Sequence, residues 1–320
     1  MSAFDTVSAG PGPAGPGSAS GTGGHGPQGP ARPASPRRGL LVVAAAAVVT
    51  TALVAVSTGM PGTTVVGTPS AAPPTLGRSV AERARAAVVA QVPGAEVGVA
   101  VHDRRTGETV GVADRPGFAT ASVVKLLIAL DVLRANGWQP PDPATATVVA
   151  RMLRGSDDGA ATRLWTAQGG PAVVTRAVAE LQLTGTVPPA EPQEWELTRT
   201  TAEDVVTVYR FVLDRLPARS RALVLSALRE APRIALDGVD QYFGIPDALP
   251  GLPRAIKQGW MVAGGELVLN TTGVVGADDR FVVVLLTHQP GGTRRADGRA
   301  AVTAGIRSLL PALTAPGSAH

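Results

Sequence analysis

The order of apolar and polar residues divides the chain into a short series of predicted elements. A helix is predicted from Ser79, whose spacing to Glu82 matches a capping box, until residues 93–94 (Pro-Gly) stop it. Strand-like patterns then cover residues 96–102 and 108–113, and the turn between them predicts a hairpin. The chain therefore enters its folded part through a helix followed by two antiparallel strands.

A long apolar run over residues 118–130 follows, and it predicts a helix that starts at Ser122 and ends at residues 136–137 (Asn-Gly). Three further helices are predicted: one from Pro171, one from a Thr200 or Thr201 cap with Glu203 or Asp204 to about Leu216, and one over residues 220–230. Strands are then predicted over residues 255–262, 266–275 and 280–288, and a last helix over about 298–310. This order predicts an α+β fold, an antiparallel sheet flanked by N- and C-terminal helices plus an inserted helical subdomain.

The N-terminal part has a different pattern. Residues 1–39 form a Gly/Pro/Ser-rich tail without periodicity, which predicts disorder, and residues 40–60 are apolar, uncharged and long enough at about 20 residues to span a bilayer. Arginines flank only the N-terminal side of that run, so the positive-inside rule places the tail in the cytoplasm and the C-terminal domain outside.

The division of the chain follows from these segments. We expect a transmembrane signal anchor at 40–60, a linker at 61–77 and one folded domain at 78–314. Small residues near Ala55 or Ala72 leave cleavage of the anchor open, in which case the domain is secreted.

Composition excludes several classes of function. The net charge is only +4 and no dense basic block occurs, which disfavours nucleic-acid binding. The chain has no cysteine, so disulfides, thiolate zinc sites and lipid attachment through cysteine are excluded. No metal-ligand cluster is evident, and we expect neither a metal nor another cofactor. The oligomeric state is left open.

The use of lysine is the most informative feature of the composition. Lys and Arg together number 29, but only Lys125 and Lys257 are lysines. Arginine supplies positive charge but cannot be deprotonated, whereas a lysine can act as a base once its pKa is lowered. Two lysines in such an Arg-biased chain are therefore expected where chemistry excludes arginine.

Ser122 and Lys125 have the spacing of a serine nucleophile and its base. On a helix, residues i and i+3 lie on one face, so the amine is expected beside the hydroxyl. Ser-x-x-Lys alone is weak evidence, since an N-cap serine followed by a solvated lysine has the same pattern. The bias against lysine favours the catalytic interpretation.

Two other stretches supply the remaining groups that acyl transfer needs. The hydroxyl of Ser156 is a candidate proton shuttle, and Lys257 is a candidate for a positive field and for holding a substrate carboxylate. Gly259 would let substrate approach the strand closely, and the backbone N–H groups of Ser122 and Trp260 are candidates for an oxyanion hole.

The three motifs occur in the order S-V-V-K at 122–125, S-D-D at 156–158 and K-Q-G at 257–259. They resemble the S-x-x-K, S-D-N and K-T-G motifs of the serine β-lactamase and penicillin-binding-protein superfamily, closest to class A β-lactamases. The resemblance covers about Ser79 to Leu313 and implies that family's fold and its acyl-enzyme chemistry on β-lactams or peptidoglycan-like amides.

Two substitutions affect residues that the resemblance assigns to substrate binding. Asp158 replaces the family's Asn, and an ionised carboxylate cannot donate to a substrate amide and favours a protonated Lys125. Gln258 replaces Thr and removes a hydroxyl that helps to hold the carboxylate.

A third departure concerns deacylation. The family's Glu-x-x-x-Asn segment, which orients the hydrolytic water, is represented here by residues 187–197, in which Glu191 resembles its start and Trp195 occupies the Asn place. The resemblance makes Glu191 a candidate catalytic residue. The alternative is that Glu191, Glu194 and Glu196 are solvated loop acids, in which case deacylation is slow.

Two hypotheses follow. The first is an extracytoplasmic serine acyl-transfer enzyme that acts on β-lactam-like compounds or peptidoglycan-type peptides, with a serine-dependent glutaminase as a weaker variant. The second is a catalytically impaired protein that binds a ligand or a cell-wall protein through the same cleft. Other candidates are weaker, because His102 and His288 are expected as sheet-end histidines and the tryptophans Trp138, Trp165 and Trp195 as packing residues.

Overall fold

The computed structural model of the protein describes residues 76–314, and the predicted tail and membrane span lie outside this range. Among the helices within it, none has the length and apolarity needed to cross a bilayer. The strands are β1 (Glu96–Asp103), β2 (Thr109–Ala113), β3 (Phe118–Ala119), β4 (Arg199–Thr200), β5 (Arg254–Ala263), β6 (Glu266–Val275) and β7 (Phe281–Gln289). The helices are α1 (Ser79–Gln91), α2 (Lys125–Ala135), α3 (Pro143–Gly155), α4 (Asp158–Ala167), α5 (Ala172–Leu181), α6 (Ala202–Asp214), α7 (Ala218–Arg229), α8 (Ile245–Ala248), α9 (Arg295–Arg307) and α10 (Leu310–Thr314).

A five-stranded antiparallel sheet with the order β2-β1-β7-β6-β5 forms the centre of the fold. Its central strands are apolar on both faces, as expected for a sheet that is covered on both sides. Val99 and Leu285 pack on one face with α1 and α9, whereas Ala100 and Val284 pack on the other face with the helical subdomain. The predicted α+β fold with an antiparallel sheet and flanking helices is confirmed.

Helix α2 lies at the centre of the helical subdomain. Every residue from Lys125 to Leu133 is buried, which is the pattern of a helix enclosed on all sides. Helices α3, α4 and α5 pack against it. The lysine at its first position is therefore placed in the protein interior by the helix itself.

Two predicted helix starts differ from the structure. Ser79 is the first residue of α1, not its cap, and Glu82 accepts instead from the Arg78 guanidinium at 3.0 Å. Ser122 is also not an N-cap, because it lies within a 3₁₀ turn over Ala121–Val124 that runs directly into α2. The predicted cap of α6 is confirmed, since Thr201 Oγ1 accepts from the backbone N–H of Asp204 at 3.1 Å.

A short second sheet connects the chain before Ser122 to the loop that precedes α6. Strand β3 pairs with β4, with Phe118 opposite Thr200 and Ala119 opposite Arg199. The base of that loop is closed by Asp204, whose carboxylate accepts from the backbone N–H groups of Thr184 and Gly185. This arrangement brings the 3₁₀ turn Trp195–Leu197 into contact with the turn that carries Ser122.

Candidate active site

The Ser122 hydroxyl and the Lys125 amine are in direct contact. Lys125 Nζ lies 2.5 Å from Ser122 Oγ, and both side chains are buried. The 3₁₀ turn and the first turn of α2 together produce this contact, since they place residues 122 and 125 on one side of a continuous helical segment. The predicted proximity of the two groups is present, although Ser122 lies two residues before Val124, the N-cap of α2.

The turn that carries Ser122 has a strained backbone. Ala121 has φ 45°, a left-handed conformation that is unfavourable for a residue with a Cβ. Strain of this kind costs about 1–3 kcal/mol and persists only where the surroundings hold it. Here strand β5 crosses so closely that a Cβ on Gly259 would lie 2.7 Å from the Thr120 carbonyl oxygen. Gly259 therefore permits the close approach of the strand to the serine.

Lys125 is surrounded by three kinds of neighbour. Its amine donates to Ser122 Oγ and to Asp158 Oδ1, the latter at 2.6 Å, and it lies 4.4 Å from the centre of the Trp195 ring. Burial lowers the pKa of Lys125, and the Asp158 carboxylate is the main group that opposes this shift. The predicted tendency of Asp158 to favour the protonated amine thus has a geometric basis in this structure.

Ser156 and Lys257 form a second hydroxyl–amine pair. Lys257 Nζ lies 2.9 Å from Ser156 Oγ and also donates to the Gln258 carbonyl at 3.0 Å. Burial lowers the pKa of Lys257 well below its usual value, and the charge of Lys125 lowers it further. Ser156 has φ 57° at the end of α3, a left-handed conformation that turns the chain sharply between α3 and α4. The structure thus brings both lysines and both serines to one location.

Asp157 stabilises the start of helix α4 and forms no ion pair with the two lysines. Its carboxylate caps α4 by accepting from the backbone N–H of Ala160 and pairs with Arg151. Asp158 is the first residue of the same helix, and its side chain is 63% exposed although its amine partner is fully buried. In the S-D-D motif, Asp157 therefore caps α4, and Asp158 pairs with the buried amine of Lys125.

The residues of strand β5 differ in where their side chains lie. Gln258 is fully buried and its amide N–H₂ donates to the carbonyls of Gln241 and Phe243, so this group is engaged by the loop before α8 rather than free to bind substrate. Trp260 is partly buried, and its indole N–H donates to Asp237 at 3.0 Å. Trp260 and Lys257 remain near each other, with 5.9 Å between the amine and the ring centre.

The structure does not bring Glu191 to the nucleophile. The side chain is exposed in the turn before Trp195, and the acids whose charges raise the pKa of Lys125 are Asp158, Asp237 and Glu196. Trp195 is buried instead, with its ring over the Lys125 amine and its indole N–H donated to Thr162 Oγ1 at 3.2 Å. The loop thus leaves Glu191 exposed and places the Trp195 ring beside the Lys125 amine.

Three residues near the site were not anticipated from the sequence as parts of it. Asp237 bonds Trp260 and raises the pKa of both lysines. Asn270 and His288, on β6 and β7, bond the backbone just before Ser122. No local motif marks these residues. Trp195 was expected as a packing residue, and the only signal at its position was that it stands where the family's Glu-x-x-x-Asn motif has Asn. Within residues 76–314, no group of three or more acidic or histidine side chains could hold a metal ion.

Comparisons with known proteins agree with this geometry. Residues 80–137 match the Beta-lactamase enzyme family. The chain is 38% identical over 224 residues to the proteins named "Putative lipoprotein LppW" of Mycobacterium tuberculosis and Mycobacterium bovis, which covers 68% of this chain and 70% of each relative.

Solved structures show the same fold. A class A β-lactamase from Mycobacterium abscessus superposes with a TM-score of 0.60 at 23% identity, covering 73% of this chain and 98% of that one. The β-lactamase from Streptomyces albus G gives 0.57 at 21% identity, covering 73% and 99%. On the similarity to its mycobacterial relatives, the family match and this fold, the chain belongs to the serine β-lactamase superfamily.

Proposed function

We propose that the protein is a serine acyl-transfer hydrolase that forms an acyl-enzyme at Ser122 with β-lactam or peptidoglycan-like amides. The contact of 2.5 Å between Lys125 Nζ and Ser122 Oγ carries this proposal. A hydroxyl needs an adjacent base to become a nucleophile, and a buried lysine whose pKa is lowered is such a base.

The reaction divides between the two hydroxyl–amine pairs. Ser122 Oγ attacks the substrate carbonyl and its proton passes to the neutral amine of Lys125. The C–N bond of the amide then breaks, and the Ser156 hydroxyl, bonded to Lys257, delivers a proton to the leaving nitrogen. Ser156 regains a proton from the Lys125 ammonium, so the proton taken from Ser122 ends on the leaving nitrogen and Lys125 is neutral again. The backbone N–H groups of Ser122 and Trp260 stabilise the oxyanion, and Lys257 holds a substrate carboxylate.

Deacylation is slow in this proposal. The Trp195 ring lies 4.4 Å from the Lys125 amine, and Glu191 is exposed. The ring stands beside the base at the place where the family motif has an Asn that helps to orient the hydrolytic water, so the ester at Ser122 persists. Asp158 and Trp260 flank the acyl group, and Gly259 allows the substrate to lie against β5.

The cellular location is proposed from the N-terminal sequence. The apolar run at residues 40–60 anchors the chain and leaves the domain at 78–314 on the extracytoplasmic side, or secreted if the anchor is cut. The mycobacterial relatives are named as lipoproteins, which supports a membrane-associated location outside the cytoplasm. This chain has no cysteine for lipid attachment, so the apolar run takes the place of the lipid.

The alternative function is a ligand- or cell-wall-binding module of impaired catalysis. The observation that favours it is the 2.6 Å ion pair between Lys125 and Asp158, because a charged amine cannot accept the proton of Ser122. In this alternative the cleft binds amides without opening them.

Labelling with a fluorescent penicillin separates the two functions. We expect a covalent label on the full-length chain in detergent and none on Ser122→Ala, with thermal unfolding as the check that the variant folds. Nitrocefin turnover measures whether hydrolysis follows, and label that outlasts turnover indicates slow deacylation. Label at equal levels on both proteins, or on neither, contradicts an acylating Ser122.

A further inference from the structure

The backbone that leads into Ser122 is held by side chains of the central sheet. The backbone N–H of Ala119 donates to His288 Nε2 at 3.0 Å, and the amide of Asn270 donates to the Ala119 and Thr120 carbonyls at 2.9 and 3.1 Å. His288 is 7% exposed and Asn270 is fully buried. Two buried polar side chains are thus aimed at the two residues before the strained Ala121.

The bond from Ala119 fixes the tautomer of His288. A backbone N–H can only donate, so Nε2 is the unprotonated nitrogen and Nδ1 carries the hydrogen. Nδ1 lies 2.9 Å from Glu266 Oε2, which accepts from it. Arg115 Nη1 is 3.1 Å from the same nitrogen, but as a donor it bonds Glu96 Oε2 at 2.6 Å instead.

Every element packed around His288 contributes to its charge balance. The charged groups are Glu96 on β1, Arg115 in the segment after β2 and Glu266 on β6. The Phe118 ring on β3 packs against the imidazole in an edge-to-face arrangement, with 5.8 Å between the ring centres. Burial lowers the pKa of His288 and Arg115 lowers it further, whereas Glu266 and Glu96 raise it. Since the net direction is downward, the imidazole is neutral at pH 7 and can accept.

We propose that His288 is a positioning residue for acyl transfer, since its neutral imidazole holds the Ala119 N–H and thereby the turn that presents Ser122. The proposal rests on the proposed function. When His288 takes up a second proton, Nε2–H faces the Ala119 N–H, and the buried backbone donor loses its hydrogen-bond acceptor. The strained turn two residues away depends on that support.

The first test observes the hydrogen bond directly. Phe118–Ala119 is the only Phe-Ala pair in the chain, so labelling with ¹³C′-Phe and ¹⁵N-Ala gives a single amide resonance, that of Ala119. In the full-length protein in detergent we expect this resonance to shift as the pH falls below 6.5, because the pKa of His288 is lowered from that value, and to stay fixed in His288→Gln. A resonance that does not move, or moves equally in the variant, overturns the proposal.

The second test follows the rate of labelling by fluorescent penicillin against pH. Glutamine offers an amide oxygen to Ala119 but does not titrate, so His288→Gln should retain the rate at pH 7.5 within about threefold and lose part of the fall toward pH 5. His288→Leu removes the acceptor and should be about tenfold slower at pH 7.5. His102→Gln is the matched control, because His102 is also buried with a lowered pKa but bonds Thr109 and the backbone of Glu108.

The outcomes separate the two proposals. If the pH profile of His288→Gln equals that of the native protein while Ser122 is labelled, His288 has no positioning role and the proposed function stands. If neither the native protein nor any variant is labelled at any pH, the proposed function fails. The Ala119 resonance alone then decides whether His288 holds the turn.

Discussion

The Lys125 amine lies 2.6 Å from a carboxylate oxygen of Asp158 and also contacts the Ser122 hydroxyl. The Lys125 side chain is fully buried, whereas the Asp158 side chain is 63% exposed, so a buried amine is paired with a carboxylate that water can reach. Burial favours a neutral amine and Asp158 favours a charged one. The balance between these two effects decides how much base is available to Ser122.

Replacing Asp158 by Asn should therefore accelerate acylation. The change removes the charge that raises the pKa of Lys125, which increases the neutral fraction of the amine at pH 7. A decrease of about one pKa unit corresponds to a roughly tenfold gain. The measurement is the rate of penicillin labelling against pH, in which the rise should move to lower pH.

The control for this change is Asp297→Asn, which removes a surface acid paired with Arg294. Its labelling rate should equal that of the native protein. A rate for Asp158→Asn at or below the native rate would indicate that the carboxylate orients the amine and that its charge does not limit the reaction.

Trp195→Asn should shorten the lifetime of the acyl-enzyme. The substitution removes the ring from the Lys125 amine and introduces a polar side chain that can bind water beside Ser122. Positioned proton transfer contributes on the order of 10²–10⁴-fold, so even partial positioning should shorten the label lifetime about tenfold. Decay of the fluorescent label and nitrocefin turnover measure the effect.

Trp195→Phe is the matched variant, since it keeps an aromatic ring over the amine while losing the bond to Thr162. Its label should persist as in the native protein. Equal lifetimes in Trp195→Asn and Trp195→Phe, with thermal unfolding showing both variants folded, would mean that the ring does not control deacylation.

Gly259→Ala should nearly abolish acylation. The new Cβ would lie 2.7 Å from the Thr120 carbonyl and 3.3 Å from the Ser122 nitrogen, so either β5 or the turn must move. A displacement of about 1 Å at a reacting group can cost about 10²-fold in rate. Labelling kinetics measure this loss, and Gly251→Ala, whose Cβ would meet nothing within 4 Å, should label at the native rate.

Lys257→Met should stabilise the protein while impairing its chemistry. Burial holds the pKa of Lys257 well below that of the unfolded chain, which is about 10.4. Between these two values the unfolded state binds more protons, so the free energy of unfolding of the native protein rises with pH. The buried amine therefore costs stability at every pH below the unfolded-state value, and its removal should add on the order of 1 kcal/mol at neutral pH.

Denaturant unfolding at several pH values tests this effect. The native free energy of unfolding should rise between neutral and alkaline pH, and Lys257→Met should be more stable at pH 7 with a weaker rise. Arg254→Met, at the start of the same strand and partly exposed, should show neither change. A less stable Lys257→Met would show that the bonds of the amine to Ser156 and Gln258 outweigh its burial.

The sequence by itself determined the order of the main elements and the contact between Ser122 and Lys125. Strand-like apolar stretches separated by turns predicted β1, β2 and β5–β7, which form the five-stranded sheet, whereas the two-residue strands β3 and β4 were not predicted. The three-residue spacing of Ser122 and Lys125 predicted their contact, because a helical turn brings such residues together. Both are local regularities that can be read along the chain.

Only the tertiary structure decided what surrounds that pair. Asp158 lies 33 residues from Lys125, and His288 lies 169 residues from Ala119. Trp195 lies on a distant loop that packs its ring beside the amine. The strained φ of Ala121 and the bonds of Asn270 likewise have no local signature. Such contacts depend on how the sheet, the loop and the helical subdomain pack against one another, and packing selects among rotamers and loop paths that the sequence alone leaves open.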